Sequence, residues 1–232
     1  MAYTYIDLFC GAGGLSLGFD EAGFENILAV ELQPAFAKTY QRNFPDHPLL
    51  VEDIRQISDE RLLELTSGKT VDVIVGGPPC QGFSIAGNIG RTFLDDERNR
   101  LFKEFVRFVA YLKPKMFVME NVAAMATHLK GKTIAAVEDA FETAGLGYRV
   151  QWQVLNSVHF GVPQERRRLV MVGIRKDFET AFAYPKEQER VYTVKDAIGD
   201  LPPLKSGEES AIPNHKAMKH SPQMLKKMSY VK

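Results

Sequence analysis

The chain has 232 residues, in which 29 Lys+Arg balance 29 Asp+Glu, 45% are apolar and two are cysteines. This is the composition of an ordinary globular chain of one large domain, which excludes general disorder; no apolar run reaches the roughly 18–20 residues of a membrane helix. Cys10 and Cys80 make no disulfide framework and, without clustered histidines, a poor zinc site. Met1-Ala2-Tyr3-Thr4-Tyr5 carries neither a basic segment nor an apolar core, so no signal peptide is expected and a reducing, cytoplasmic setting is the default.

The predicted elements alternate along the chain. Tyr3 to Phe9 reads as a strand that ends at the turn Gly11-Ala12-Gly13-Gly14, and Leu15 to Ala22 as a helix stopped by Gly23. Asn26 to Val30 is a strand, Ala35 to Phe44 a helix bounded by Pro34 and Pro45, Leu49 to Val51 a short strand, and Asp59 to Leu65 a charged helix. Val71 to Val75 is a continuous apolar run, as in a strand covered on both faces. After the glycine-containing stretch from Gly76 to Gly90, Leu101, Phe102, Phe105, Val106, Val109 and Leu112 recur with helical spacing, and Pro114 closes that helix. Lys115 to Met119 is a strand, and Ile134, Val137, Phe141 and Ala144 mark a helix. Tyr148 to Leu155 and Leu169 to Ile174 form a late pair of strands. Such alternation predicts an open, mostly parallel α/β sheet with its ligand crevice at the carboxyl ends of the strands. A boundary is expected near Leu204, after Pro202-Pro203. From Lys205 to Lys232 six lysines face Glu208 and Glu209, a balance of +4 that leaves −4 on residues 1–204. This basic tail reads as a linker or arm.

The turn at Gly11 lets a ligand approach the backbone. A dinucleotide fingerprint would require glycine at position 16, where the chain has Ser16. Glu31, closing the second strand, can accept two ribose hydroxyl hydrogen bonds, and Asp53, after the third, can accept from an adenine amino group. An adenosine with a cationic amino-acid end suits these groups better than NAD does. In Gly76-Gly77-Pro78-Pro79-Cys80-Gln81-Gly82-Phe83-Ser84, two prolines stiffen the backbone ahead of Cys80 and Gly82 lets it turn away, presenting the thiol at the mouth of the sheet. Cys10, beside Leu8 and Phe9, reads instead as an inert core thiol.

Asp7-Leu8-Phe9-Cys10-Gly11-Ala12-Gly13-Gly14, Gly77-Pro78-Pro79-Cys80-Gln81-Gly82-Phe83-Ser84, Glu120-Asn121-Val122 and Gln164-Glu165-Arg166-Arg167-Arg168 resemble, in order, the signature blocks of the DNA cytosine-5 methyltransferases. The resemblance covers residues 3–204. It implies a Rossmann-like methyltransferase fold, S-adenosylmethionine as cofactor, and carbon 5 of a flipped-out cytosine in double-stranded DNA as acceptor. Cys80 would add to carbon 6, and Glu120 would hold the pyrimidine edge, for which it must be protonated or share a proton with the base. Arg166 and Arg168 would steady the cytosine carbonyl and the catalytic loop; Arg167 reads as surface. Phe9, Gly11, Ala12, Gly13, Gly14, Leu15, Glu31, Leu32, Asp53, Ile54, Pro79 and Leu101 would contact the cofactor, although the family often has an aromatic residue where Leu32 stands. Gln81, Ser84, Arg91 and Gln164 would contact DNA, with residues 84–91 as a closing lid.

The family continues into a target-recognition region and final motifs that residues 205–232 are too short to supply. The resemblance therefore implies either a split enzyme of bacterial restriction–modification, whose second subunit carries those parts, or a piece of a longer chain. Alternatives are methylation of cytosine in tRNA and a non-catalytic, partner-binding regulator; an NAD-linked oxidoreductase is disfavoured by Ser16.

Overall fold

The computed structural model describes residues 2–79 and 100–230. Seven strands form one sheet: β1 (Thr4–Leu8), β2 (Glu25–Glu31), β3 (Leu49–Val51), β4 (Val73–Gly76), β5 (Met116–Val122), β6 (Tyr148–Asn156) and β7 (Arg167–Arg175). Their order is β3-β2-β1-β4-β5-β7-β6. The first five pair parallel with one another, and β7 runs antiparallel to both β5 and β6. The order reverses between β1 and β4, and at such a switch point the loops after neighbouring strands diverge and leave a crevice at their carboxyl ends.

Alternation along β1 assigns the two faces. Tyr5 joins Val73 and Val75 in a cluster with Leu15 and Phe19 of α1 (Gly14–Glu21), and next to it Tyr40 of α2 (Pro34–Asn43) packs on Ala29 and Cys10. Ile6 and Leu8 point the other way. They join the larger core with Leu62 of α3 (Asp59–Leu65), Phe102, Phe105, Phe108 and Val109 of α4 (Arg100–Leu112), and Ile134, Val137 and Phe141 of α5 (Lys132–Glu142). Each such fully buried aromatic or aliphatic side chain is worth about 1.5–3 kcal/mol. Phe117 on β5 stacks on Phe141 at a centroid separation of 4.0 Å, and Gly173 on β7 leaves room for its ring.

The sequence predicts a strand over Lys115 to Met119, whereas β5 runs on through Glu120-Asn121-Val122. The cause is β7: Glu120 pairs with Val170, Asn121 with Leu169 and Val122 with Arg168, so the antiparallel partner prolongs the strand past the end of β4.

Two compact units divide the chain. The first holds residues 1–156 and 166–187, and the second 157–165 and 188–232. Leu204, where the sequence places a boundary, lies inside the second unit. There α6 (Val194–Ile198) begins with a reciprocal Thr193–Asp196 cap, Glu209 bridges Lys216, and Ser221 caps α7 (Pro222–Met228). Among the described residues no helix is long and apolar enough to cross a membrane.

Candidate active site

A pocket of about 360 Å³ opens at the carboxyl ends of β1, β2, β3 and β4. Phe9, Gly11, Glu31, Leu32, Asp53, Ile54, Pro79 and Leu101 line it, together with Val30, Gln33, Phe36, Glu52 and Gly77. Eight of the twelve expected cofactor residues thus meet in one hollow. Ala12, Gly13, Gly14 and Leu15 are outside its lining: Leu15 packs its side chain with Tyr5, and Gly13 lies beneath the ring of Phe44.

The turn is held from two sides. Phe9 and Gly11 take the left-handed conformation, with φ of 61° and 57°, and Asn43 donates to the Ala12 carbonyl at 2.8 Å. Glu31 bridges the turn to its own strand, accepting from the Gly11 N–H at 2.9 Å and the Gln33 N–H at 2.7 Å. A carboxylate has about four acceptor sites, so two remain for ligand hydroxyls. Asp53 accepts from the Arg55 backbone N–H at 3.0 Å and pairs with its guanidinium, whose hydrogen bonds hold the Asp53 carboxyl below the usual carboxylate range. This carboxylate, free in the sequence reading, is therefore already fixed in place by a neighbour.

Phe36, in the first turn of α2, went unrecognised in the sequence. It is 56% exposed and lines the pocket beside Leu32. Its signal in the sequence was weak: a phenylalanine among Pro34, Ala35 and Ala37, five residues after Glu31.

Cys80, Gln81, Ser84, Arg91 and the expected lid lie outside the described residues. The base of their loop is well defined. Asn121, buried in β5, donates to the Pro78 carbonyl at 3.1 Å and accepts from the Val122 N–H at 2.9 Å, tying the loop to the Glu-Asn-Val strand. Glu120 stands beside it, and its Oε1 accepts from Arg168 Nε at 2.6 Å. A Cβ added to Gly77 would meet Glu120 Oε2 at 3.0 Å, so the carboxylate lies close against this glycine. Gly77 also lines the pocket, which makes it the point where the carboxylate and the hollow adjoin.

The Glu120 and Arg168 side chains are 34% and 26% exposed, so this ion pair is open to solvent. Arg166 is exposed and its backbone N–H donates to Asn156 Oδ1 at 3.0 Å; Arg167 is exposed, as expected for a surface residue. Gln164 belongs to the second unit, where its carbonyl accepts from the Ser157 hydroxyl at 2.6 Å and its side chain is exposed. Cys10 is buried against Ala29 and Tyr40, and burial, with Asp7 and Glu31 nearby, pushes its thiol up, so it is inert.

This sheet order, with its antiparallel seventh strand and carboxylates at successive strand ends, defines an α/β methyltransferase fold. The family model for C-5 cytosine-specific DNA methylases matches residues 3–232, and the chain belongs to that family. It is 56% identical over 232 residues to the Type II methyltransferase M1.HphI of Haemophilus parahaemolyticus, covering 100% of this chain and 62% of that one. M.AquIA of Picosynechococcus is 39% identical over 226 residues, covering 88% of this chain and 90% of M.AquIA. A prophage-encoded E. coli protein, described as a DNA modification methyltransferase, has a crystal structure that superposes with a TM-score of 0.75 at 30% identity; the match covers 90% of this chain and 59% of that one. The chain thus spans about three fifths of the length of M1.HphI and of the E. coli protein.

Proposed function

We propose that this chain is the catalytic part of an enzyme that methylates carbon 5 of a cytosine in double-stranded DNA, in a bacterial restriction–modification setting. The observation that carries this reading is the adjacency at Gly77. The Glu120 carboxylate, the root of the cysteine loop and the mouth of the pocket meet at one residue.

The pocket's donor set suits S-adenosylmethionine. Glu31 offers acceptor sites to ribose hydroxyls and Asp53 to an adenine amine, while Phe36, Leu32, Ile54 and Leu101 supply apolar surface for the base. Phe9, Gly11 and Pro79 would border the amino-acid end. When bound, the cofactor supplies an electrophilic methyl group.

Carbon 5 of cytosine is a poor nucleophile in the aromatic ring. Addition of the Cys80 thiolate to carbon 6 would break that aromaticity and leave carbon 5 enamine-like, with electron density available for a new bond. Glu120 would hold ring nitrogen 3 and the exocyclic amine, sharing a proton with nitrogen 3 as negative charge develops. Arg168 would keep the carboxylate aimed, since its guanidinium already grips Oε1. A carbon inside a duplex is unreachable, so the base would be flipped out, with Gln81, Ser84, Arg91, Arg166 and Gln164 as contacts to the strand or the displaced base.

Sequence choice would reside in a recognition region on a second polypeptide or a further segment; M.AquIA, matched over 90% of its length, is a relative of comparable extent. The test is transfer of a labelled methyl group to duplex DNA or to tRNA, by the chain alone and together with the product of the downstream reading frame. The expected result is transfer to DNA by the completed enzyme and a covalent complex with 5-fluorocytosine DNA that Cys80→Ser abolishes. Transfer to tRNA alone, or an adduct that survives Cys80→Ser, would refute the reading.

A further inference from the structure

Ser16 excludes a dinucleotide fingerprint, and it has a structural use of its own. It is fully buried, and its Oγ lies 2.7 Å from Asp7 Oδ2 and 2.8 Å from the Tyr40 hydroxyl. The series continues outward, with Tyr40 OH to His47 Nδ1 at 2.9 Å and His47 Nε2 to Asp20 Oδ2 at 3.1 Å. Asp20 Oδ1 in turn accepts from the Tyr5 hydroxyl at 2.7 Å. Asp7 and Tyr40 are completely buried, whereas His47 and Asp20 reach a surface hollow also lined by Glu25, Asp46 and Lys69. A continuous hydrogen-bonded path therefore joins a carboxyl group in the core, two residues before Phe9 of the pocket, to the opposite flank of α1 and α2.

Each hydroxyl carries one hydrogen, so the path can point only one way at a time. With Asp7 ionised, Ser16 donates to Asp7, Tyr40 donates to Ser16, and the Tyr40 oxygen must accept from a hydrogen on His47 Nδ1. With Asp7 protonated at Oδ2, every bond reverses: Asp7 donates to Ser16, Ser16 to Tyr40, and Tyr40 to a bare Nδ1. Conversion of the first state, in which both ring nitrogens of His47 carry hydrogen, to the second breaks the Nδ1–H bond, hands one proton along each hydroxyl and forms one O–H bond on Asp7, leaving a neutral ring that keeps its Nε2–H towards Asp20 Oδ2. No proton is gained or lost.

The surroundings of Asp7 act against its ionised form. Asp7 Oδ1 is buried without a hydrogen-bond partner and Glu31 adds like charge, both of which oppose ionised Asp7. At the other end, Asp20 Oδ2 lies against His47 Nε2. The other groups facing Asp7 are Ser16 on α1, Tyr40 on α2 and the Cys10 thiol; those facing His47 are Asp20, Tyr40 and the stacked Phe44 ring, with Asp46, Glu25 and Lys69 around the hollow.

We propose that Asp7 and His47 share one proton through Ser16 and Tyr40, so that positive charge entering the cofactor pocket draws the proton outward to His47. Departure of a product that has lost its sulfonium charge returns it. Asp7, Ser16, Tyr40 and His47 are then positioning residues that make the turn respond to the charge of what it holds. The link to the cofactor rests on the methyltransferase reading; the shared proton does not.

The experiment is NMR of the full chain labelled at the histidine ring nitrogens and the aspartate carboxyl carbons. Without ligand, from pH 5.5 to 8.5, a hydrogen is expected on Nδ1 wherever the Asp7 carboxyl signal reports ionisation. Ser16→Ala and Tyr40→Phe should each uncouple the two signals. A His47 ring that ignores the Asp7 transition, or coupling that survives both variants, overturns the shared proton. At fixed pH, S-adenosylmethionine should shift Asp7 towards its ionised form and S-adenosylhomocysteine should not, with calorimetry recording whether each binds. Binding of both with equal Asp7 signals overturns the cofactor link and leaves the methyltransferase reading intact. Absence of binding heat by the completed enzyme counts against that reading, and the ligand-free titration still decides the shared proton.

Discussion

Asp7 carries an unusual electrostatic load for a residue in a strand. Burial pushes its carboxyl up to about 7, with the Ser16 hydrogen bond opposing and the charge of Glu31 adding to the rise. A carboxyl with a raised folded pKa binds more protons folded than unfolded between about pH 4 and 7, so its contribution to stability is lost as pH rises through that window. The nominal loss is about 4 kcal/mol. Asp7→Asn should therefore flatten the decline of denaturation midpoint between pH 5 and 8; a variant as pH-sensitive as the parent would contradict this. Glu31 has the opposite character, with both oxygens satisfied by backbone N–H groups at 2.9 and 2.7 Å. On the proposed reading, Glu31→Ala removes one or two charge-assisted hydrogen bonds to the ribose, worth about 1.5–3 kcal/mol each, so cofactor affinity measured by calorimetry should fall by at least roughly 10-fold, and by about 100-fold or more if both are lost. Glu120→Gln should abolish methyl transfer by the completed enzyme while moving the folding midpoint little, because its ion pair with Arg168 is partly exposed and such pairs contribute only about 0–1 kcal/mol.

At the scale of elements, the glycine turn shows what a motif specifies and what it leaves open. Gly13 has φ of 94°, and a Cβ there would come within 2.1 Å of the Phe44 ring. Gly13→Ala should cost about 1–3 kcal/mol in chemical denaturation, and Phe44→Leu in the same chain should restore only part of it, since the backbone conformation remains strained. The run Gly11-Ala12-Gly13-Gly14 makes a turn legible from sequence, but not that Gly13 serves packing and Gly11 the pocket. The same holds for the strand bearing Glu120. Its apolar half was readable from Met116 to Met119, whereas Glu120-Asn121-Val122 reads as polar and turn-like until β7 is laid against it. Phe36 was missed because a phenylalanine on an amphipathic helix is ordinarily core, and only the course of α2 over the ends of β2 and β3 leaves it facing the pocket.

For the molecule as a whole, the chain covers 62% of the length of M1.HphI, and its exposed apolar residues have a pattern. Leu32 and Phe36 stand open at the pocket, and the second unit exposes Val194, Ile198, Met218, Met228 and Tyr230. Surfaces of this kind mark sites of association. On the proposed reading, the chain purified alone should self-associate in sedimentation experiments and bind cofactor weakly, and both behaviours should revert when the product of the downstream reading frame is supplied. A monodisperse chain with full affinity would refute this. Composition, periodicity and four short motifs determined the alternating α/β architecture and the residue types of the site, because they depend on burial patterns and local backbone freedom that a sequence carries directly. Tertiary structure alone decided that Glu120 meets Gly77 and that Asp7 connects through Ser16 and Tyr40 to His47. Those relations join residues on different strands and helices, and only the packing of the sheet and its covering helices sets the distances between them.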